Sequence, residues 1–202
     1  MVITLLAACD RLTKPTSSGR PYEVLVVVDD QLWQRPAGRA LFDVLDTDVP
    51  GLPQPERSFR ISQTTQKRFS QVLNIFRTII KVDIDPTQYT QTKMKFTRDV
   101  YARPQVVLTI QSPNEKDFAA FVKKNSRSII DFLVKVEMNR QINELEEKHS
   151  EAVSQLAEEI FKCQLWAPAE IKSYKKGKDF FWASSNTASG LVNICMYSYP
   201  YE

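Results

Sequence analysis

Histidine occurs once in the 202 residues, at His149, and that count removes more chemistry than any other feature. A Ser-His-Asp or Cys-His arrangement needs a base that titrates near neutrality, and that base is usually histidine. His149 stands in Glu146-Glu147-Lys148-His149-Ser150-Glu151, which reads as a solvated, charged helix. Cysteine is also scarce. Cys9, Cys163 and Cys195 are too widely spaced for a zinc ligand cluster, and no metal or cofactor is expected. The five glycines, at 19, 38, 51, 177 and 190, build neither nucleotide-phosphate fingerprint. No stretch approaches the roughly 20 apolar residues of a membrane-spanning helix, and no self-similar period marks a solenoid. The net charge of +3 is too small for a dedicated nucleic-acid surface, so no nucleic-acid partner is expected.

What is present is an ordinary globular composition, 43% hydrophobic and 25% charged, with chain enough for one large domain or two small ones. Residues 1–8, Met-Val-Ile-Thr-Leu-Leu-Ala-Ala, carry no charge and run directly into Cys9. Leu6-Ala7-Ala8-Cys9 resembles the bacterial lipobox, in which small residues precede a cysteine whose thiol is alkylated by a diacylglyceryl group. The expectation is a partial lipoprotein signal peptide over 1–8 and acylation, palmitate included, at Cys9. One acyl chain binds a bilayer marginally, whereas two or three hold it at about 0.8 kcal/mol per buried CH₂. The basic start of a signal peptide is missing, so the alternative is a buried edge strand over 2–9 with an inert thiol. Residues 9–21, punctuated by proline, serine and glycine, read as a flexible tether.

From residue 22 to 202 the pattern is that of an α+β domain, a mixed or antiparallel sheet with long helices packed on it. Tyr22-Glu23-Val24-Leu25-Val26-Val27-Val28 is a β-branched run suited to a central strand, ended by Asp29 and Asp30. A helix is expected to follow, with Pro36 near its first turn and Leu45 near its end. Residues 49–55, Val-Pro-Gly-Leu-Pro-Gln-Pro, form a breaker cluster. Strands are expected at 58–62, 74–85, 92–100 and 105–111, with a short helix over 64–73. Ser112-Pro113-Asn114-Glu115 predicts a capping box with Ser112 at the N-cap. Long helices follow, with a break near Lys124-Asn125-Ser126 and a stop at Pro168. A hairpin turning near Gly177 and a strand over 191–199 close the chain. The last strand has no closing element after it, which reads as a piece of a longer protein.

Candidate chemistry is thin. Asp29 with Asp30, and Asp83 with Asp85, are carboxylate pairs that suit a hard cation or acid–base work if both reach one sheet end. Against this stands their plain reading as strand-end and turn residues. Lys172, Lys175, Lys176 and Lys178 surround Gly177 beside Phe180, Phe181 and Trp182, a cationic and aromatic hairpin suited to an anionic glycan, lipid headgroup or protein partner. Ser173-Tyr174-Lys175-Lys176 matches Ser-x-x-Lys, but that chemistry needs the serine at a helix start, and this one lies in an expected strand. Cys163 and Cys195 pair only if the domain is oxidised, and a buried free thiol is the ordinary alternative.

The segments Gly19-Arg20-Pro21-Tyr22-Glu23-Val24-Leu25-Val26-Val27, Leu32-Trp33, Gly38, Val49-Pro50-Gly51-Leu52-Pro53-Gln54-Pro55-Glu56 and Phe180-Phe181-Trp182 together resemble an uncharacterised lipoprotein family of Bacteroidetes, domain of unknown function 4837. The resemblance spans about residues 19–202. It implies a bacterial envelope location and a lipid anchor, carries over no catalytic residue, and implies a chain continuing past residue 202. A single Asp10 after the cysteine favours the periplasmic side. The functional expectation is therefore a membrane-anchored, non-enzymatic binding or assembly module with an envelope protein or glycan partner. The alternative is an envelope hydrolase using carboxylates or a bound metal. A cytosolic protein with a misread start is the third reading.

Overall fold

The computed structural model describes residues 14–70, 72–185 and 190–200. The leader and Cys9 lie outside the described residues. The fold is α+β, with a mixed five-stranded sheet and an antiparallel three-stranded sheet. The chain divides into two compact units, one ending at Glu137 and the other starting at Met138.

In the first unit the order along the sheet is β2-β1-β3-β5-β4, from β1 (Glu23–Val27), β2 (Arg60–Thr64), β3 (Thr78–Ile84), β4 (Lys93–Arg98) and β5 (Val106–Ser112). The first four in that order run parallel, and β4 is an antiparallel edge. Because side chains alternate along a strand, Val24, Val26 and Val28 face one cluster while Leu25 and Val27 face another. The first cluster takes in Trp33 of α1 (Asp30–Gln34), Ala37, Leu41 and Leu45 of α2 (Pro36–Leu45), and Phe118 and Val122 of α3 (Glu115–Lys124). It also holds Ile129 and Leu133 of α4 (Ser126–Glu147). The second cluster is covered by Phe69, Leu73 and Phe76, which return from β2 to β3. Successive crossovers that step in opposite directions and are both right-handed must lie on opposite faces, and these two do.

The helix expected over 64–73 is replaced by turns. Thr65 Oγ1 accepts from the Arg68 N–H at 3.2 Å, and the Ser70 carbonyl accepts from Leu73 and Asn74. The Thr65 hydroxyl binds the nearby backbone and, with the Ser70 carbonyl, closes single turns instead of a helix. The capping box moves two residues downstream. Ser112 completes β5 opposite Ile84, and its hydroxyl meets Thr92 Oγ1 at 2.7 Å. Asn114 is the N-cap, accepting from the Asp117 N–H at 2.8 Å and donating back to the Asp117 carboxylate at 2.9 Å. Of the expected tether, residues 15–18 are hydrogen-bonded into the domain. Arg103 N–H donates to Pro15 O, Ser17 N–H to Arg103 O and Ser18 N–H to Ile75 O.

In α4 the buried positions Ile129, Leu133 and Glu137 stack at four-residue intervals. The last of these is a carboxylate, 2.7 Å from the Arg77 guanidinium that precedes β3. The second unit holds α5 (Glu151–Phe161) and an antiparallel sheet of β6 (Ser173–Lys176), β7 (Phe180–Ser184) and β8 (Asn193–Tyr197). The long helical region does not run to Pro168. Ser150 starts α5 by accepting from Val153 N–H, and left-handed Lys162 ends it. Val153, Leu156 and Ala157 bury against Ile171, Phe181 and Ala183.

Two substitutions test this packing. A Cβ on Gly38 would lie 2.2 Å from the Leu32 carbonyl oxygen and 2.6 Å from Trp33 Cα, both backbone atoms that cannot rotate away. Gly38→Ala is expected to cost about 2–3 kcal/mol in urea unfolding, as for overpacked cores. Glu137→Ala, which removes a buried carboxylate 2.7 Å from the Arg77 guanidinium, is expected to cost about 3–5 kcal/mol, and the double change Arg77→Leu with Glu137→Met to recover most of it.

Candidate functional site

The breaker cluster folds as an arch. Asp48 and Arg57 pair across its base, with Val49 N–H on Glu56 O and Ser58 N–H on Thr47 O, both at 2.8 Å. Arg57 locks the base by reaching Asp46 and Asp48, each at 3.2 Å. Gly51 takes a φ of 83°, the left-handed turn that the tip requires. Opposite the arch, Arg127, Ile130, Asp131 and Val134 share one face of α4 by their three- and four-residue spacing. Between them lies a cleft of about 630 Å³, lined also by Pro21, Tyr22 and Arg60.

Tyr22 holds a φ of 58° in the turn Arg20–Glu23, where Glu23 N–H donates to Arg20 O at 3.2 Å. Proline at the second position and a positive φ at the third define a type II turn, whose third residue is normally glycine. A tyrosine is therefore kept in a strained conformation at the wall of a cleft, a pattern associated with ligand sites. The electrostatics are lopsided. The lining has three arginines and two aspartates; Arg57 is paired with Asp48, and Arg127 sits 3.5 Å from Asp131. Arg57 also reaches Asp46 behind the lining, and Arg60 has no ion-pair partner among the described residues, so Arg60 is the lining guanidinium left open to a ligand.

The carboxylate pairs come to one end of the sheet. β1 and β3 are adjacent and parallel, so Asp29–Asp30 and Asp83–Asp85 all stand at their carboxyl ends. There the chain leaves β1 in one direction along the sheet and β3 in the other, which is where open α/β sheets bind ligands. Each acid, however, is held locally. Asp29 caps α1 through Gln31 N–H at 2.9 Å, and Asp30 accepts from Gln63 Nε2 at 3.0 Å. Asp83 accepts from the Tyr89 hydroxyl, which in turn accepts from Gln111 Nε2 at 2.6 Å. Asp85 accepts from the Thr87 hydroxyl at 2.6 Å, its N–H at 2.8 Å and Gln88 Nε2 at 2.8 Å. None of the four lines the arch cleft. Among the described residues no three His, Cys, Asp or Glu side chains gather closely enough to hold a metal.

In the second unit, Lys176 is bound to Glu159 at 2.8 Å, which raises its pKa, while Lys172, Lys175 and Lys178 have no such partner among the described residues. Register puts Lys175, Trp182 and Cys195 on one face of the small sheet and Lys176, Phe181 and Met196 on the other. Cys163 is half-buried, Cys195 is exposed, and both thiols are free. Ser173 lies in β6, where no helix brings a lysine back to it. His149 falls in the break before α5, its Nδ1 2.8 Å from Leu145 O and its ring beside Trp166. Near it a groove of about 750 Å³ runs past Leu145, Lys148, Pro168 and Lys172.

Sequence reasoning picks out the arch residues only as a breaker and passes over Arg57, Arg60 and Arg127. The local signal was a run of three prolines and a glycine flanked by Asp48 and Arg57, which closes a loop on itself.

Asp85 supplies a titration test. Its pKa lies below the ordinary carboxylate value of 3.8, chiefly through the Thr87 hydroxyl and then the Thr87 N–H. A depressed folded-state pKa contributes stability above the unfolded value and loses it as pH falls through the folded one. In Thr87→Val, carboxyl carbon shifts followed by NMR between pH 2 and 6 are expected to show Asp85 titrating closer to 3.8.

Residues 150–202 match the profile of Domain of unknown function (DUF4837), so that resemblance is found over the C-terminal part of the chain. Residues 17–146, including the Pro-Gly-Leu-Pro-Gln arch, match a different profile. No curated protein and no solved structure matches. The two matched segments meet close to the boundary between the two compact units. With its sheet, its arch and its cleft inside the longer match, the chain belongs to the family Domain of unknown function (DUF8532).

Proposed function

We propose that this chain is a lipid-anchored, non-enzymatic binding module of a bacterial cell envelope, facing the periplasm. The observation that carries the binding half is the lining of the arch cleft. Its side chains are arginines, prolines, serines, aliphatics, a threonine and a tyrosine, and its two aspartates both lie against guanidinium groups. Such a lining supplies recognition without a nucleophile and base in hydrogen-bond reach of each other. The anchored half is supported by the uncharged leader ending in Leu6-Ala7-Ala8-Cys9. The lysine hairpin at 172–178, with Trp182 on its sheet, offers a second surface for an envelope protein or glycan.

A second reading, a hydrolase working through carboxylates, is favoured by the gathering of Asp29, Asp30, Asp83 and Asp85 at the carboxyl ends of β1 and β3. The hydrogen bonds that occupy each of them weigh against it.

Metabolic labelling tests the anchor. In a bacterial host fed an alkyne-tagged palmitate, the natural protein is expected to take up label and sediment with membranes. Cys9→Ala is expected to lose the label. A wild-type protein that stays unlabelled sinks the anchor.

A further inference from the structure

We infer that the arch cleft is a receptor for a single-tailed amphiphilic monoanion, a carboxylate carrying an aliphatic chain. The inference rests on the binding reading above and assigns that site its ligand class. The first ground is charge. Arg57 is held between Asp46 and Asp48 and Arg127 lies against Asp131, so the lining guanidinium without an ion-pair partner among the described residues is that of Arg60. One guanidinium without a counter-ion, beside a water-accessible cavity, suits one carboxylate in the two-pronged geometry that arginine favours. A dianion would be left half unneutralised, and a cation would be repelled.

The second ground is the lining away from that charge. Val49 and Pro50 from the arch and Ile130 and Val134 from α4 line the cleft together with Tyr22, and the side chains of the first four are aliphatic with no polar group. Ile130, Val134 and Tyr22 are also packed against the main hydrophobic cluster, so the wall is fixed to the core. A folded partner needs an interface of about 1,000 Å² or more, whereas a cavity of about 630 Å³ is of the size that encloses a small molecule.

The third ground is preorganisation. The arch is clamped through Arg57 at its base, and the Tyr22 ring is held at the cleft by a backbone conformation that tyrosine rarely adopts. Strain kept at a wall, where glycine would have relieved it, indicates that the ring is wanted there.

Calorimetry on the full chain bearing Cys9→Ser, so that no covalent lipid competes, tests this with dodecanoate below its micellar concentration. Dodecanoate is expected to bind, and affinity should rise about two- to fourfold per CH₂ from hexanoate upward, the upper value following from ~0.8 kcal/mol per buried methylene. Acetate, the head alone, and decanol, an uncharged tail, are each expected to bind at least about tenfold more weakly. Arg60→Gln is expected to lose about tenfold in affinity for dodecanoate and nothing for decanol. Tyr22→Gly suits the positive φ, so it should keep the thermal midpoint within a few degrees while weakening every tailed ligand. No heat with dodecanoate from folded protein, or equal affinity in Arg60→Gln, overturns the inference. Either result leaves the labelling of Cys9 untouched, so failure of the ligand and failure of the anchor are told apart.

Discussion

Strand β1 has no face left for water. Val24 and Val26 are buried under helices and Leu25 and Val27 under the return loop, so every residue after Glu23 is committed to the interior. At about 25 cal/mol for each Å² of apolar surface, such a strand is a large local source of stabilisation in its unit. It also dictates topology. A strand buried on both sides must have chain crossing both sides, and right-handed crossovers allow that only if β2 and β3 flank it. The sheet order, the helical layer and the thin covering loop all follow from that demand.

The same demand locates both places where chemistry could gather. Adjacent parallel strands whose chain departs in opposite directions leave a gap at their carboxyl ends, and all four aspartates stand there. Turn-forming hydroxyls, amides and a phenol occupy them. The Asp83 hydrogen bond raises the Tyr89 pKa, so the proton stays on the phenol. At the opposite end of β1 the chain enters through a strained turn, and the α2–β2 connection has to arch over it to bring Arg60 alongside Tyr22. Arg60 N–H donates to Tyr22 O at 2.9 Å, so the free guanidinium and the strained ring belong to neighbouring strand ends.

The α+β class and the central strand were legible because they are written in local patterns: alternation in β2, an unbroken β-branched run in β1, and Pro36 at a helix start. The helix expected over 64–73 was not, because the Thr65 hydroxyl takes the Arg68 N–H and closes a single turn, which a count of apolar spacing does not register. The N-cap was misplaced by two residues because Ser112 and Asn114 are both good caps. The choice between them is made by β3, whose register holds Ser112 as strand. The cleft was unreadable for a different reason. Arg57, Arg60 and Arg127 come from an arch, a strand and a helix, and only the folded crossing of the chain puts them together. The aspartates were noticed because they are neighbours in sequence, which says little about neighbours in space.

Pinning Pro15 and Ser18 to the domain through Arg103 and Ile75 sets a limit on reach. If Cys9 carries the proposed lipid, only the six links from Cys9 to Pro15 separate the acylated thiol from a residue whose backbone is hydrogen-bonded into the domain. Fully extended they span about 20 Å. The first unit would then ride against the headgroups like a moored hull, unable to swing out and sample the depth of the compartment. Whatever enters its cleft would have to be met at the bilayer surface itself.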